Sequence, residues 1–298
     1  MKSYRLIFGV VATLFAIGVI YFTIGKFPSQ ESAEKPIVAA TIYPIYDIAR
    51  NVAGSYAEVK LILPAGASPH LFEFSPRQLA ALQHVRVVFA IGHGLDNWVT
   101  QIRNVVKDAR LVIVDQGIRL RTFEDGTTDP HYWLHFGNAR IITDNVAKGL
   151  SEIDPAHAEP YRENAETYKE QLKNKEQELK KILAPAQGKP ILTFHDAWFY
   201  FAENFGLNIA GSFEPAAGEE PTPRYIEKLQ RVVQGEHIRM IFIEPQLSSG
   251  VLGSFASDNH IGIAELDPLG GVEGRKTYLD LMQFDADAVR RAFEKPSH

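Results

Sequence analysis

The stretch PYRENAETYKEQLKNKEQELKKIL, residues 160–183, divides the chain into two halves. After its first residue it contains neither glycine nor proline, and its apolar residues recur at helical spacing. They are Tyr161, Ala165, Tyr168, Leu172, Leu179 and Leu183. Proline suits a first helical turn, and Pro185 with Gly188 ends the pattern. The stretch therefore predicts one helix, roughly 35 Å long, near the middle of the chain.

On both sides of this helix, short β-branched runs alternate with helical patterns such as 77–82 and 224–233. The predicted strands are 37–42, 59–63, 85–91, 110–114, 191–194, 240–243 and 261–266. Such alternation is typical of βαβ units, whose parallel sheets are covered by helices on both faces. The sequence thus predicts an α/β protein with two lobes, each a parallel sheet flanked by helices, joined by one long rigid linker helix.

The predicted limits are 37–150 for the N-terminal α/β lobe, 151–187 for the linker helix and 188–298 for the C-terminal α/β lobe. A helical connection bends less than loop or strand crossovers do. We therefore expect only small movements of the lobes when a ligand binds.

Residues 1–26 predict export. Lys2 and Arg5 precede an uncharged run over 6–25, and twenty residues span roughly 30 Å, the thickness of a bilayer's hydrocarbon core. Basic residues before the run indicate a cytoplasmic N-terminus. The run is long for a cleaved signal peptide, which favours a retained membrane anchor; a buried core helix is the remaining alternative. Residues 27–36 form a polar linker, so the predicted location is the periplasm or the outer face of the cytoplasmic membrane.

The composition excludes several functional classes. The formal net charge of −5 disfavours nucleic-acid binding, which requires basic surfaces. The absence of cysteine excludes disulfides, thiol catalysis, thiolate metal sites and a lipid anchor on an N-terminal cysteine. No G-x-x-x-x-G-K-[ST] motif is present, so the chain does not hydrolyse ATP itself. Any metal must be held by nitrogen and oxygen atoms.

Several polar residues follow predicted strands, and these are His70, His195, Glu244 and Asp267. His131 instead precedes an amphipathic helix. Because ligands of parallel α/β sheets bind outside the carboxyl ends of the strands, these side chains can converge on one crevice. Each also fits a plain structural role: the histidines as surface or cap residues, Asp267 in a turn, and Glu244 in a cap or ion pair. Their spacing alone does not decide between a metal-binding and a structural role, because tens of residues separate them, unlike the ligands of a zinc finger.

Six segments, in this order, resemble those of one known family. They are TIYPIYDIARNVAG (41–54), LPAGASPHLFEFSPRQLAAL (63–82), DPHYWL (129–134), TFHDAWFYFAENFGL (193–207), IFIEPQLSS (241–249) and LDPLGG (266–271). The family is that of the metal receptors of bacterial ABC importers, the periplasmic or surface solute-binding proteins for zinc and manganese. The resemblance implies two α/β lobes joined by a long helix, with a metal ion in the cleft between them. It implies four metal ligands, namely His70, His131, His195 and Asp267.

The sequence departs from the family pattern in two places. Zinc receptors often carry a histidine-rich loop before the DPH segment, whereas here the stretch GIRLRTFEDGTTDPH contains only His131. After DPHYWL the family often has aspartate or proline, where this chain has His135. His135 is expected to lie at the surface or to support a ligand rather than to bind metal. His93 and Glu244 are further candidates to hold a ligating histidine by a hydrogen bond.

Three imidazoles and one carboxylate favour Zn(II), with Mn(II) as the second choice, because manganese prefers more oxygen ligands. Manganese and iron receptors of the family typically have glutamate where His195 stands. The resemblance implies a monomeric receptor, not an enzyme, that delivers metal to a membrane permease driven by a separate ATPase. The alternatives are a manganese or iron receptor, a zinc-dependent hydrolase with Glu244 as general base, and a surface adhesin.

Overall fold

The computed structural model describes residues 34–214, 220–246 and 252–294. The predicted anchor and most of the predicted linker lie outside these ranges. Within the described part of the chain, no helix combines the length and the apolar character needed to cross a bilayer.

The first sheet has four parallel strands in the order β2-β1-β3-β4. The strands are β1 (Ile37–Ala40), β2 (Glu58–Leu61), β3 (Val85–Ala90) and β4 (Arg110–Ile113). Between them lie α1 (Tyr43–Ala53), α2 (Pro76–Ala80) and a 3₁₀ helix over Asn97–Asn104. Only helical or long loop crossovers can join parallel neighbours, which is why the β-branched runs alternate with helical patterns in the sequence.

The second sheet also has four parallel strands, in the order β6-β5-β7-β8. They are β5 (Pro190–His195), β6 (Asn208–Glu214), β7 (Met240–Ile243) and β8 (Gly262–Glu265), and the helices are α5 (Phe199–Phe205), α6 (Pro223–Gly235) and α7 (Leu252–Asp258). β6 was absent from the predicted strands because its sequence, NIAGSFE, is poor in β-branched residues. It forms at the edge of the sheet through its backbone pairing with β5.

One long helix joins the two sheets. It is α4 (Ala158–Leu183), preceded by α3 (Phe136–Ile153) and a short 3₁₀ turn, and α8 (Tyr278–Glu294) packs along it. At 26 residues, α4 is about 39 Å long. All six apolar residues of the predicted stripe are buried. The predicted architecture, two parallel-sheet α/β lobes with a long helix between them, is confirmed.

The main hydrophobic core is continuous across both lobes. One cluster of buried side chains contains Val38 and Phe89 of the first sheet, Leu172 of α4, and Ile191 and Phe242 of the second sheet. The long helix is therefore packed into the body of the protein. The residue limits of the lobes, at 37–150, 151–187 and 188–298, stay predictions.

Candidate metal centre

His70 lies in the loop that follows β2. It is an exposed residue, but its ring faces the rings of His131 and His195, at centroid distances of 5.7 and 5.8 Å. Loss of solvent around the ring, followed by repulsion from these two neighbours, lowers the pKa of His70 to about 3. His70 is therefore a neutral imidazole with a free nitrogen lone pair at physiological pH.

His131 is buried at the start of the 3₁₀ turn Tyr132–Leu134. Oδ1 of Asp129 lies 2.8 Å from Nδ1 of His131 and also accepts the backbone N–H of His131 at 3.0 Å. A carboxylate on Nδ1 fixes the tautomer with the proton there, so that Nε2 presents its lone pair. Asp129 thus orients the ring of His131. This role of the aspartate in the DPH motif was not predicted from the sequence.

His195 is the last residue of β5, one residue beyond the predicted end of that strand, and α5 begins at Phe199. Its Nδ1 lies 2.6 Å from Oε1 of Glu244, and the indole of Trp198 donates to the same oxygen at 3.0 Å. Burial opposes protonation of His195, but the Glu244 carboxylate outweighs it and raises the pKa of His195 above its usual value. Glu244 therefore plays for His195 the part that Asp129 plays for His131.

The three histidines meet at one point. Their ligand nitrogens all lie within 4.8 Å of one another, and Nε2 of His131 and Nε2 of His195 are 3.3 Å apart. Two nitrogens on a tetrahedral zinc, each about 2.0–2.1 Å from the metal, lie about 3.3 Å apart. The three residues also line a wider cleft of about 1100 Å³, which gives the cluster access to solvent.

Asp267 does not join this histidine group. Its Oδ1 accepts hydrogen bonds from the side chain of Gln246 at 2.6 Å and from the backbone N–H groups of Leu269 and Gly270 at 3.0 and 3.1 Å. Its Oδ2 lies 3.1 Å from the guanidinium of Arg275. Gln246, Pro268 and Leu269 nevertheless line the same small cavity as the three histidines, so Asp267 lies behind one wall of it.

A family model described as zinc-uptake complex component A, periplasmic (ZnuA), matches residues 38–292. The chain belongs to this family. It is therefore a metal-binding solute-binding protein of the kind that serves ABC importers, and the predicted resemblance is confirmed.

Relatives within this family are named for different metals. The iron-binding protein YfeA of Yersinia pestis is 28% identical over 274 residues, which cover 89% of this chain and 88% of YfeA. The manganese-binding lipoprotein MntA of Halalkalibacterium halodurans is 27% identical over 266 residues, covering 87% and 89%. A crystal structure of ZnuA superposes with a TM-score of 0.77 at 27% identity, covering 86% of this chain and all of that one.

The two remaining histidine candidates of this ZnuA-family chain point elsewhere. Nδ1 of His135 accepts the backbone N–H of Gly137 at 2.9 Å and so caps the first turn of α3, while burial lowers the pKa of His135. Nε2 of His93 lies 2.7 Å from Oδ2 of Asp115, just beyond β4. Neither residue is among the three that come together, although His93 lines the wider cleft.

Proposed function

We propose that this protein captures Zn(II) between its lobes and delivers it to a membrane permease. The observation that carries the proposal is the convergence of three imidazole nitrogens within 4.8 Å, contributed by segments on both sides of the long helix. His131 and His195 are each held by a carboxylate at Nδ1, which leaves Nε2 for a metal. Such pre-aimed histidines are typical of metal sites.

In this proposal, His70, His131 and His195 are three ligands and Asp267 is the fourth. Asp267 reaches the metal by exchanging its hydrogen bond with Gln246 for a bond to the ion, since Gln246 lies on the wall between Asp267 and the histidines. A shell of three nitrogens and one oxygen closes a tetrahedral site. A closed shell suits capture, whereas a hydrolytic zinc keeps a position open for water.

Zinc is preferred over manganese because of the donor set. Neutral imidazole suits zinc, whereas carboxylate, carbonyl and water oxygens suit manganese. The names of YfeA and MntA make an iron or manganese cargo the second candidate, with the same residues around the ion.

The receptor is proposed to act as an exported monomer without catalytic activity, held at the outer face of the cytoplasmic membrane by residues 6–25. The loaded protein docks on the permease of an ABC importer, and a separate ATPase drives transport. The absence of a nucleotide-binding motif in the sequence supports this division of labour.

The test is elemental analysis of the protein purified without added metal, followed by direct competition between Zn(II) and Mn(II). Zinc in the purified protein, and its retention against excess manganese, is the expected result. Retention of manganese or iron instead would overturn the zinc assignment while leaving the receptor function.

The variant Asp267→Ala distinguishes a metal receptor from a zinc-dependent hydrolase. In a receptor, Asp267→Ala lowers the affinity for Zn(II), because a ligand is lost. In a hydrolase, the same change leaves the metal bound by the histidines and opens a position for water. Tight zinc binding by Asp267→Ala together with ester or peptide hydrolysis would contradict the receptor function.

A further inference from the structure

The residues 121–129 form a short β-hairpin before His131. Thr122 bridges Thr128, Phe123 donates its N–H to the carbonyl of Thr127, and Asp129 donates its N–H to the carbonyl of Arg121 at 3.0 Å. The pairing places Arg121 directly beside Asp129. The hairpin lies directly before the DPH segment, in the stretch where this chain lacks a histidine-rich loop.

The guanidinium of Arg121 connects three carboxylate oxygens. Its NH1 donates to Oδ2 of Asp129 at 3.2 Å and to Oδ1 of Asp196 at 2.9 Å, and its NH2 donates to Oδ2 of Asp196 at 2.9 Å. Asp129 is fully buried, and Arg121 keeps only 25% of its side-chain surface exposed. Such a fork, with two parallel bonds to one carboxylate, combines strength with defined geometry.

The two carboxylates are connected to different histidines, Asp129 by a hydrogen bond and Asp196 through the chain. Asp129 holds Nδ1 of His131 through its other oxygen. Asp196 follows His195 directly in the chain, at the end of β5. Arg121 therefore links the support of His131 with the turn that carries His195, and these two rings form the pair whose Nε2 atoms are 3.3 Å apart.

Arg121 is also fixed from the side of α5. Its guanidinium lies 4.6 Å from the ring centroid of Phe199 and 4.8 Å from that of Phe123, one from each side of the cleft. Its backbone N–H donates to the hydroxyl of Tyr200 at 2.7 Å. A planar cation between two aromatic rings loses little further freedom when it binds a carboxylate.

We propose that Arg121 is a positioning residue that sets the spacing of His131 and His195 and thereby slows the release of bound Zn(II). The inference rests on the proposed function, because it takes these two histidines as ligands. Arg121 itself does not touch the metal. Without Arg121, the buried Asp129 loses its cationic partner. The segments that carry His131 and His195 are then no longer linked through one side chain.

The experiment measures the rate at which the purified protein, loaded with Zn(II) alone, loses the ion to excess chelator. We expect release to be about 3- to 10-fold faster in Arg121→Gln, below the 10- to 100-fold cost of removing a direct partner of a metal ligand, because Arg121 acts through Asp129 and Asp196. Arg121→Lys should fall between this variant and the native protein, because an ammonium keeps the charge but cannot bridge both carboxylates with a planar fork. Asp196→Asn should resemble Arg121→Gln, and the double variant should be no faster than Arg121→Gln alone.

A spectroscopic readout separates positioning from general loss of stability. The visible absorption of the Co(II)-loaded protein reports the ligand geometry, and it should change in Arg121→Gln. The matched control is Arg140→Gln, which removes another half-buried arginine, paired with Glu176 at 2.6 Å between α3 and α4. This control should keep both the native release rate and the native Co(II) spectrum.

The possible failures are distinguishable. If the native protein does not retain Zn(II), the proposed function and this inference both fail. If the native protein retains Zn(II) but Arg121→Gln releases it within twofold of the native rate, only the role of Arg121 is overturned. Should Arg121→Gln not fold, Asp196→Asn and Arg121→Lys are judged by the same two readouts.

Discussion

Two of the three histidines are held very differently from the third. His131 and His195 are each 4% exposed, and each has a carboxylate oxygen within 2.8 Å of its Nδ1. His70 is exposed, lies in a loop, and in the described part of the chain no carboxylate pairs with its ring. The buried pair is thus held in its orientation by carboxylates, whereas His70, the third proposed ligand, has no such partner among the described residues and is freer to adjust. The site combines a fixed half with an adaptable half.

Replacement of the histidines tests this contrast with the largest expected effect. His195→Ala should lower the affinity for Zn(II) by well over the roughly 100-fold that the loss of a supporting partner can cost, because a ligand of the fixed pair is removed. His70→Ala should cost less, since the pair remains in place. Calorimetry or chelator competition measures both, and a greater loss in His70→Ala than in His195→Ala would reverse the comparison.

The carboxylates behind the fixed pair should have the next largest effect. Glu244→Gln and Asp129→Asn keep the size of the side chain but remove the charge, and each should lower the Zn(II) affinity by about 10- to 100-fold. The measurement is the same competition assay. If either amide variant binds zinc as tightly as the native protein, that carboxylate does not orient its histidine.

His195 and His70 should differ in the protons that they release when zinc binds. Because the Glu244 carboxylate raises the pKa of His195 above its usual value of 6.5, this imidazole keeps its second proton to a higher pH than a free imidazole does, and zinc must displace that proton. The affinity should therefore fall as pH drops through this range, whereas His70, with a pKa of about 3, contributes no proton there. Calorimetry in buffers of different ionisation enthalpy counts the released protons.

Glu244→Gln is the matching variant for this measurement. It removes the cause of the raised pKa, so proton release near pH 7 should decrease and shift to lower pH. Equal proton release by the variant and the native protein, or equal zinc affinity at pH 5 and pH 7.5 in the native protein, would contradict histidine ligation as described.

His135 should show the smallest effect on binding. His135→Ala removes the cap on α3 and should cost about 1 kcal/mol of folding free energy, which lowers the melting temperature by about 2–4 °C in a protein of this size. Zinc affinity should stay within twofold of native. A large loss of affinity would show that His135 contributes to the metal site, and the contrast between one adaptable and two fixed histidines would be wrong.

The pattern of the sequence predicted much of this fold for a physical reason. Parallel strands buried on both faces require continuous apolar runs, and the stripe of α4 must be apolar because it packs into the core. β6 escaped prediction because an edge strand with Gly211 and Asn208 forms through pairing with β5 rather than through its own propensity. The predicted strand over 191–194 ended one residue before the observed end of β5 at His195.

The site was only partly predictable. The rule that ligands gather at the carboxyl ends of parallel strands allowed His70 and His195 to converge, but the choice of these two together with His131 came from the family resemblance. The partners of Asp267, by contrast, are Gln246 and Arg275, and Arg121 meets Asp196 from 75 positions away. Such pairings depend on where loops and the hairpin lie in space, and no local spacing encodes them.

The main core, which runs through both lobes, has a consequence for how the protein unfolds. Because Val38, Leu172 and Phe242 belong to one buried cluster, unfolding of either lobe removes packing partners from the other. The two lobes should therefore stabilise each other against denaturation, and an isolated half of the chain would expose the apolar side chains that it buries against the other half.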